Sequence, residues 1–330
     1  AGLACDSAGS FMQVAAMPFP RSHSRCLLAI ALAAAMPSAI ANPPGLSKTT
    51  AASGLPRAPQ QEAVTFDQAD LSFKVDPARK SLQGGAKLTF RSDRQLDALV
   101  VRLGGGCWVD LVGVGGEAVV AAHWRNPEGR MTVDLPQPLA AGARAILRIR
   151  YAGTPHVAER APWDGGFVWA TAPSGEPWVA SAVQGEGCDL LWPCIDHPQG
   201  EPQEVVQHIS VPSPLVAAGN GIAEGMQEQD GWRTYHWRTR LPNTYAIALN
   251  IGPYELLQAD YSSRFGNTFP LRFWHLKGNA AKAQGLFAEF TPMLDFYEEV
   301  IGPYPFASEK MGVVETPHLG MEHQTINAYG

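Results

Sequence analysis

The last part of the chain carries residues that could bind a charged ligand. Residues 320–323 read Gly-Met-Glu-His, so the carboxylate of Glu322 lies close to Gly320, where the missing side chain lets another backbone approach. A carboxylate in this setting can hold an organic cation through charge-assisted hydrogen bonds. The alternative is that Glu322 is a solvated surface residue, and spacing alone does not separate the two.

His318 and His323 raise the question of a metal site in the same segment. They are five residues apart in the sequence. That spacing would place them on different faces of a helix and on opposite faces of a strand. We therefore do not expect these two histidines to share a metal ion.

A second dense group of polar residues occupies residues 184–198, with the sequence QGEGCDLLWPCIDHP. Its carboxylates, thiols and His197 invite a metal interpretation, but the step of six from Cys188 to Cys194 is not a recognised zinc spacing. The two prolines of the segment favour a stiff loop instead. We expect the two cysteines to be buried free thiols, with a disulfide as the alternative in an oxidising compartment.

Length and composition limit the classes of protein to consider. The chain has 330 residues, of which 45% are hydrophobic and 17% charged. These values are normal for a globular protein with a substantial core. The formal net charge of −6 gives no electrostatic basis for binding nucleic acid.

The amino-terminal region has the features of an export signal. Residues 1–16 precede the first plausible start methionine, and residues 17–41 contain two arginines, an apolar run at 26–36 and a small-residue exit ending at Ala41. This pattern predicts a bacterial signal peptide cleaved after Ala41 and a periplasmic or secreted protein without a stable membrane anchor. Residues 42–60 are rich in Pro, Ser and Ala and are predicted to be a linker.

Within residues 61–258, apolar and polar residues alternate with a period of two. Leu71, Phe73 and Val75 alternate with polar residues, and several later segments repeat the pattern between turn residues. Such alternation is typical of antiparallel strands with one wet face. We therefore predict an amino-terminal β domain, of two-sheet or saddle form, over 61–258.

Residues 259–330 have a different character. The segment 271–276 is predicted to be a strand, and apolar residues at helical spacing predict a helix over 280–300 that Pro292 kinks or splits. The segment 310–316 is predicted to be another strand. The overall prediction is a mainly β protein with an α/β domain beginning near residue 259.

Six segments in series resemble the M1 family of zinc aminopeptidases, the gluzincins that include aminopeptidase N and leukotriene A4 hydrolase. They occur in the family's order and approximate spacing. They are IRYAGT at 149–154, PCID at 193–196, ISVPSPLVAAGNG at 209–221, NTYAIALNIGPYE at 243–255, GPYPF at 302–306 and VVETPHLGMEH at 313–323. The resemblance implies a β saddle followed by the start of a thermolysin-like catalytic domain, incomplete in this chain.

The resemblance also implies roles for single residues. In the family a G-x-M-E-N motif lies on an edge strand, and its Glu binds the free α-amino group of the substrate. Met321 and Glu322 match this motif, Gly320 stands at its variable position, and His323 replaces the Asn. The family takes a second amine ligand from the loop before the PC-x-D segment.

Two residues of that loop could be the second amine ligand. Gln184 has the family's spacing from the PC-x-D segment, whereas Glu186 has the more suitable charge. The sequence leaves the choice between them open. The implied partners are peptides with a free amino terminus.

The family holds zinc with an H-E-x-x-H motif and a third Glu, and none of the nine histidines here begins such a motif. The resemblance places this motif beyond Gly330. We therefore expect no metal ligand and no catalytic residue in this chain, and no peptidase activity from it alone. The alternatives are a pseudopeptidase or a non-catalytic β-sandwich module for binding or adhesion, with Trp163, Trp169, Trp178 and Trp192 as a stacking platform.

Overall fold

A computed structural model describes residues 52–104, 106–115 and 119–330. The segment before the start methionine, the predicted signal peptide and most of the predicted linker lie outside these described residues. No helix within the described ranges is long and apolar enough to cross a membrane.

The described residues form mainly β structure, which confirms the predicted fold class. The helices are α1 (Pro59–Glu62), α2 (Ala280–Ala288) and α3 (Phe290–Val300). The strands are β1 (Val64–Asp76), β2 (Ser81–Ser92), β3 (Leu96–Arg102), β4 (Cys107–Val114), β5 (Val120–Ala121), β6 (Trp124–Arg125), β7 (Arg130–Leu139), β8 (Arg144–Gly153), β9 (Gly166–Thr171), β10 (Pro177–Ala182), β11 (Glu204–Pro212), β12 (Val216–Ala218), β13 (Ile222–Gln229), β14 (Trp232–Arg240), β15 (Asn250–Gly252), β16 (Tyr254–Ser262), β17 (Thr268–Leu276), β18 (Met311–Glu315) and β19 (Asn327–Tyr329).

Within the described ranges the largest sheet has eight strands in the order β13-β14-β11-β1-β2-β8-β4-β5. Its strands show the predicted alternation: in β1, Leu71, Phe73 and Val75 are buried, whereas Ser72 and Lys74 are exposed. One face therefore meets a core and the other meets solvent.

The pairing of β1 with β11 departs from the antiparallel prediction. These two strands run parallel, with Leu71 opposite Gln207. Parallel neighbours need a long connection, and here more than a hundred residues separate them. Alternation along a strand reports which face is buried but not the direction of the neighbouring strand, so the pattern could not reveal this pair.

The main core of the described chain is built largely from three sheets. The second sheet has the order β12-β15-β10-β9, and the third has the order β3-β7-β6. Leu71 of β1, Val101 of β3, Met131 of β7 and Val179 of β10 are all buried in one continuous cluster. The eight-stranded sheet and the two smaller sheets therefore form the layers of a β sandwich.

The fourth sheet, β16-β17-β18-β19, packs with the two long helices around a second core, and it also contributes Trp274 and Val314 to the main one. Phe273 of β17, Phe290 and Leu294 of α3 and Val313 of β18 belong to this cluster. The predicted helix over 280–300 is divided at Glu289, and Pro292 lies in the first turn of α3, where a missing N–H is tolerated. The predicted strand at 271–276 is confirmed as part of β17, and the predicted strand at 310–316 is confirmed as β18, which is one residue shorter at each end. The domain boundary near residue 259 stays a prediction.

Candidate functional site

Glu322 lies at the edge of the fourth sheet. Met321 forms an isolated antiparallel bridge with Ala328 of β19, and its buried side chain anchors the segment. Glu322 follows this bridge and is exposed. A Cβ added to Gly320 would lie 3.4 Å from the carbonyl oxygen of Ala328, so an alanine would fit there.

Two side chains from distant parts of the chain donate hydrogen bonds to the Glu322 carboxylate. Gln184 Nε2 lies 3.2 Å from Glu322 Oε1, and the hydroxyl oxygen of Tyr245 lies 3.0 Å from the same oxygen. Gln184 begins the turn that follows β10, and Tyr245 lies in a short 3-10 turn, Thr244–Ala246. The structure thus brings two of the sequence-predicted residues, Gln184 and Glu322, into direct contact.

Glu186 has a different position in the same loop. Its carboxylate lies against Gly165, where an added Cβ would come within 2.6 Å of Oε2. Burial raises the pKa of Glu186, although backbone hydrogen bonds partly oppose that effect. Among the described residues, no hydrogen bond joins Glu186 to Glu322. The geometry therefore favours Gln184 as the partner of Glu322.

Asn220 joins the segments that carry Tyr245 and Glu322. Its fully buried amide Nδ2 donates to the carbonyl oxygens of Ala246 and Gln324, each at 2.8 Å, and its Oδ1 accepts from the amide of Ala248 at 3.1 Å. Since these partners flank Tyr245 and Glu322, one side chain sets the separation of the two segments.

A disulfide joins Cys188 and Cys194, which follow Gln184 in the chain. The preferred prediction of two free thiols is therefore wrong, and the alternative is correct. Spacing does not show whether the two Cα atoms come close enough to pair, and here they are 6.3 Å apart. The disulfide also removes both sulfurs as thiolate metal ligands.

Two buried carboxylates, Asp189 and Asp196, lie around Gly187 in this loop. A Cβ at Gly187 would come within 2.5 Å of Asp189 Oδ1 and 2.6 Å of Asp196 Oδ2, and the φ of Gly187 is +129°. Burial raises the pKa of each carboxyl group. Asp196 Oδ1 accepts from the hydroxyl of Ser53 at 3.0 Å, which ties the described amino-terminal segment to the loop.

His318 and His323, on either side of Glu322 in the sequence, are both buried. His323 is fully buried, and neither of its ring nitrogens has a hydrogen-bond partner in the part of the chain that the structure describes. Burial lowers the pKa of His323 to about 3 and also lowers that of His318. Both imidazoles are therefore neutral at pH 7, and they lie inside the protein rather than in the exposed site.

The four tryptophans considered as a stacking platform do not share an exposed surface. Trp163 is exposed, whereas Trp192 is fully buried. Trp169 stacks on Phe167, and Trp178 Nε1 donates to the hydroxyl of Tyr254 at 2.9 Å. These contacts are those of core and loop packing.

No group of three or more His, Cys, Asp or Glu side chains that could hold a metal ion occurs within residues 52–104, 106–115 and 119–330. The residues described here therefore do not fit a catalytic zinc ion, and we derive no catalytic step through one. The exposed Glu322 carboxylate, fixed by two neutral donors, can instead accept a charge-assisted hydrogen bond from an organic cation.

Tyr245 and Asn220 were not identified as site residues from the sequence. Both lie in segments that carry the M1 resemblance, 243–255 and 209–221. The family resemblance of these two segments could have drawn attention to Tyr245 and Asn220. Their residue types gave no indication that they contact the region of Glu322.

The chain is similar to solved structures of M1 zinc metallopeptidases. The matches include the enzyme from Deinococcus radiodurans, a Glu-to-Ala mutant of it bound to a Tyr-Ser-Ala substrate, and a two-domain M1 zinc metallopeptidase mutant bound to L-arginine. Each match has 25% sequence identity and a TM-score of 0.66, and covers 81% of this chain and 60% of the solved one. No family model matches the chain, and no curated protein matches it. The chain thus has the fold of M1 zinc metallopeptidases over about three fifths of their length.

Proposed function

We propose that this chain is part of an exported zinc aminopeptidase, in which Gln184 and Glu322 bind the free amino terminus of peptide substrates. The observation that carries the proposal is the hydrogen bond between Gln184 Nε2 and Glu322 Oε1. It joins residues 138 positions apart, on a fold similar to that of M1 zinc metallopeptidases.

The chemistry of the site suits an ammonium group. Both donors bond to Oε1 of the exposed Glu322 carboxylate. Within the part of the chain that the structure describes, no hydrogen bond occupies Oε2, which is therefore available to a ligand. An ammonium has three donors and a positive charge, and it gains a charge-assisted bond that an acylated nitrogen cannot make. The site would therefore select peptides by their free amino terminus.

The edge of the fourth sheet offers a way to hold the rest of the substrate. Residues 320–322 lie beside β19 through the single bridge from Met321 to Ala328. An extended peptide placed along such an edge gains main-chain hydrogen bonds whatever its side chains are. The carboxylate at one end of this track would then set which peptide bond is presented for cleavage.

The proposed enzyme binds zinc through residues that are not among those described here. We propose that an H-E-x-x-H motif in sequence after Gly330 would hold the zinc ion, which would supply Lewis-acid chemistry to the complete enzyme. The 330-residue chain alone would then lack peptidase activity. The proposal also includes the signal peptide at 17–41, a periplasmic or secreted location, and a catalytic domain that begins near residue 259.

The test uses the product of the complete gene. We expect an H-E-x-x-H motif within about a hundred codons after Gly330, one zinc per chain, and hydrolysis of L-leucyl-p-nitroanilide but not of its N-acetyl form. Glu322→Ala should lower the turnover of the free substrate while zinc content stays unchanged. A stop codon directly after Gly330, or equal loss of zinc and turnover in the variant, would refute the proposal.

A further inference from the structure

Tyr245 contacts Glu322, but the proposed function gives a role only to Gln184 and Glu322. The Tyr245 hydroxyl donates to Oε1 of Glu322 at 3.0 Å, and Gln184 donates to the same oxygen. Two donors on one oxygen restrict the rotation of an otherwise exposed carboxylate. Both bonds go to Oε1, and no hydrogen bond to Oε2 is present within the part of the chain that the structure describes.

We propose that Tyr245 is a positioning residue of the amine-binding site, whose hydroxyl holds Glu322 so that Oε2 meets the ammonium of the substrate. This inference rests on the proposed function. Tyr245 acts through Glu322, and the proposal requires no contact between Tyr245 and the substrate.

The backbone around Tyr245 is fixed by local hydrogen bonds. The side chain of Asn243 caps the short 3-10 turn by accepting from the amide of Tyr245 at 3.2 Å. Its own Nδ2 donates to Glu201 Oε1 at 3.0 Å. The Tyr245 ring is half-buried and packs against the main core. The hydroxyl group therefore extends from a rigid support.

Asn220 fixes the distance between the segment that carries Tyr245 and the segment that carries Glu322. It bonds to Ala246 on one side and to Gln324 on the other, which are one residue after Tyr245 and two residues after Glu322. Leu249 adds a link to the Gln184 side, because its amide donates to the hydroxyl of Ser181 at 2.9 Å. The three segments of the site are thus connected independently of Glu322 itself.

The protonation state of Tyr245 agrees with a role as donor. Burial, together with the hydrogen bond and the negative charge of Glu322, raises the pKa of Tyr245 to about 12. The hydroxyl therefore keeps its proton at neutral pH and cannot act as a general base. It supplies a neutral donor beside a carboxylate.

Loss of the hydroxyl should affect amine recognition and little else. In Tyr245→Phe the ring and its packing remain, but Glu322 loses one of its two donors and regains rotational freedom. Hydrogen bonds to charged groups are among the stronger ones in proteins. We expect the affinity for a free amine to fall roughly 10-fold, and the affinity for a ligand without the amine to stay unchanged.

The test measures binding of two probes to the product of the complete gene by ligand-observed NMR. L-Leucinamide carries the amine, and 4-methylpentanamide has the same skeleton without it. The matched control is Tyr235→Phe, since the hydroxyl of Tyr235 donates to the carbonyl of Leu215 at 3.3 Å in another part of the fold. Tyr245→Phe should weaken leucinamide alone, and Tyr235→Phe should weaken neither probe.

A double-mutant cycle with Glu322→Ala separates positioning from a general structural effect. If Tyr245 acts through Glu322, Tyr245→Phe should have no further effect on leucinamide in the Glu322→Ala background. An effect that persists in that background, an equal loss for both probes, or no loss in the single variant would overturn the inference. If Glu322→Ala weakens leucinamide binding but Tyr245→Phe does not, only the inference about Tyr245 fails. If Glu322→Ala leaves leucinamide binding unchanged, the proposed function itself fails.

Discussion

His323 should make the protein less stable in mild acid. It is fully buried, and burial, with a smaller contribution from the charge of His318, lowers its pKa to about 3. In the unfolded chain a histidine titrates near 6.5. As the pH falls below 6.5 the unfolded chain binds a proton that the folded protein does not, so the free energy of unfolding decreases. From pH 7.5 to pH 5.0 the linkage relation gives a loss of about 2 kcal/mol from this residue.

The perturbation is His323→Asn, which removes the titrating group and retains a polar side chain. Urea unfolding of both proteins at the two pH values gives four free energies. The original chain should lose about 2 kcal/mol more than the variant between pH 7.5 and pH 5.0, since most other groups titrate alike in both. In addition, the NMR signals of the His323 ring should not shift over that interval. Equal losses within about 0.5 kcal/mol, or a ring that titrates near its ordinary pKa, would refute the assignment of a buried neutral imidazole.

Two further predictions concern the supports of the site. Asn220→Ala removes three hydrogen bonds of a fully buried side chain and should lower the free energy of unfolding by about 3 kcal/mol in urea titrations. A loss below about 1 kcal/mol would show that the backbone partners find other donors and acceptors. The double variant Cys188→Ala/Cys194→Ala opens a loop with a sequence separation of six and should lower that free energy by about 2 kcal/mol. A thermal unfolding midpoint equal to that of the original chain would contradict the disulfide.

Local patterns predicted the elements of the fold well. The alternation of Leu71, Phe73 and Val75 is a property of one strand and requires no knowledge of its neighbours. Pro292 marks the division of α2 from α3 for an equally local reason, because proline has no amide hydrogen to donate. Mainly β structure followed by a sheet with helices could therefore be predicted from the sequence.

Features that depend on distant contacts could not be predicted in this way. Tyr245 reaches Glu322 across 77 residues, and Asn220 reaches Gln324 across 104. The parallel pairing of β1 with β11 and the disulfide also depend on how the chain returns to itself. Residue type and spacing contain no direct record of these contacts.

The choice between Gln184 and Glu186 illustrates the same limit. Spacing favoured one residue and charge the other, although they are only two positions apart. The turn after β10 directs Gln184 towards Glu322, whereas Glu186 lies against Gly165. Only the three-dimensional path of the loop separates them.

The most direct test of the central claim is the selectivity of the complete gene product for a free amino terminus. The measurement is the ratio of kcat/KM for L-leucyl-p-nitroanilide to that for the desamino substrate 4-methylpentanoyl-p-nitroanilide, in the original protein and in Glu322→Gln. Loss of the carboxylate charge should reduce this ratio by roughly 100-fold, about 2.7 kcal/mol, with zinc content unchanged. An unchanged ratio would show that Glu322 does not recognise the amine.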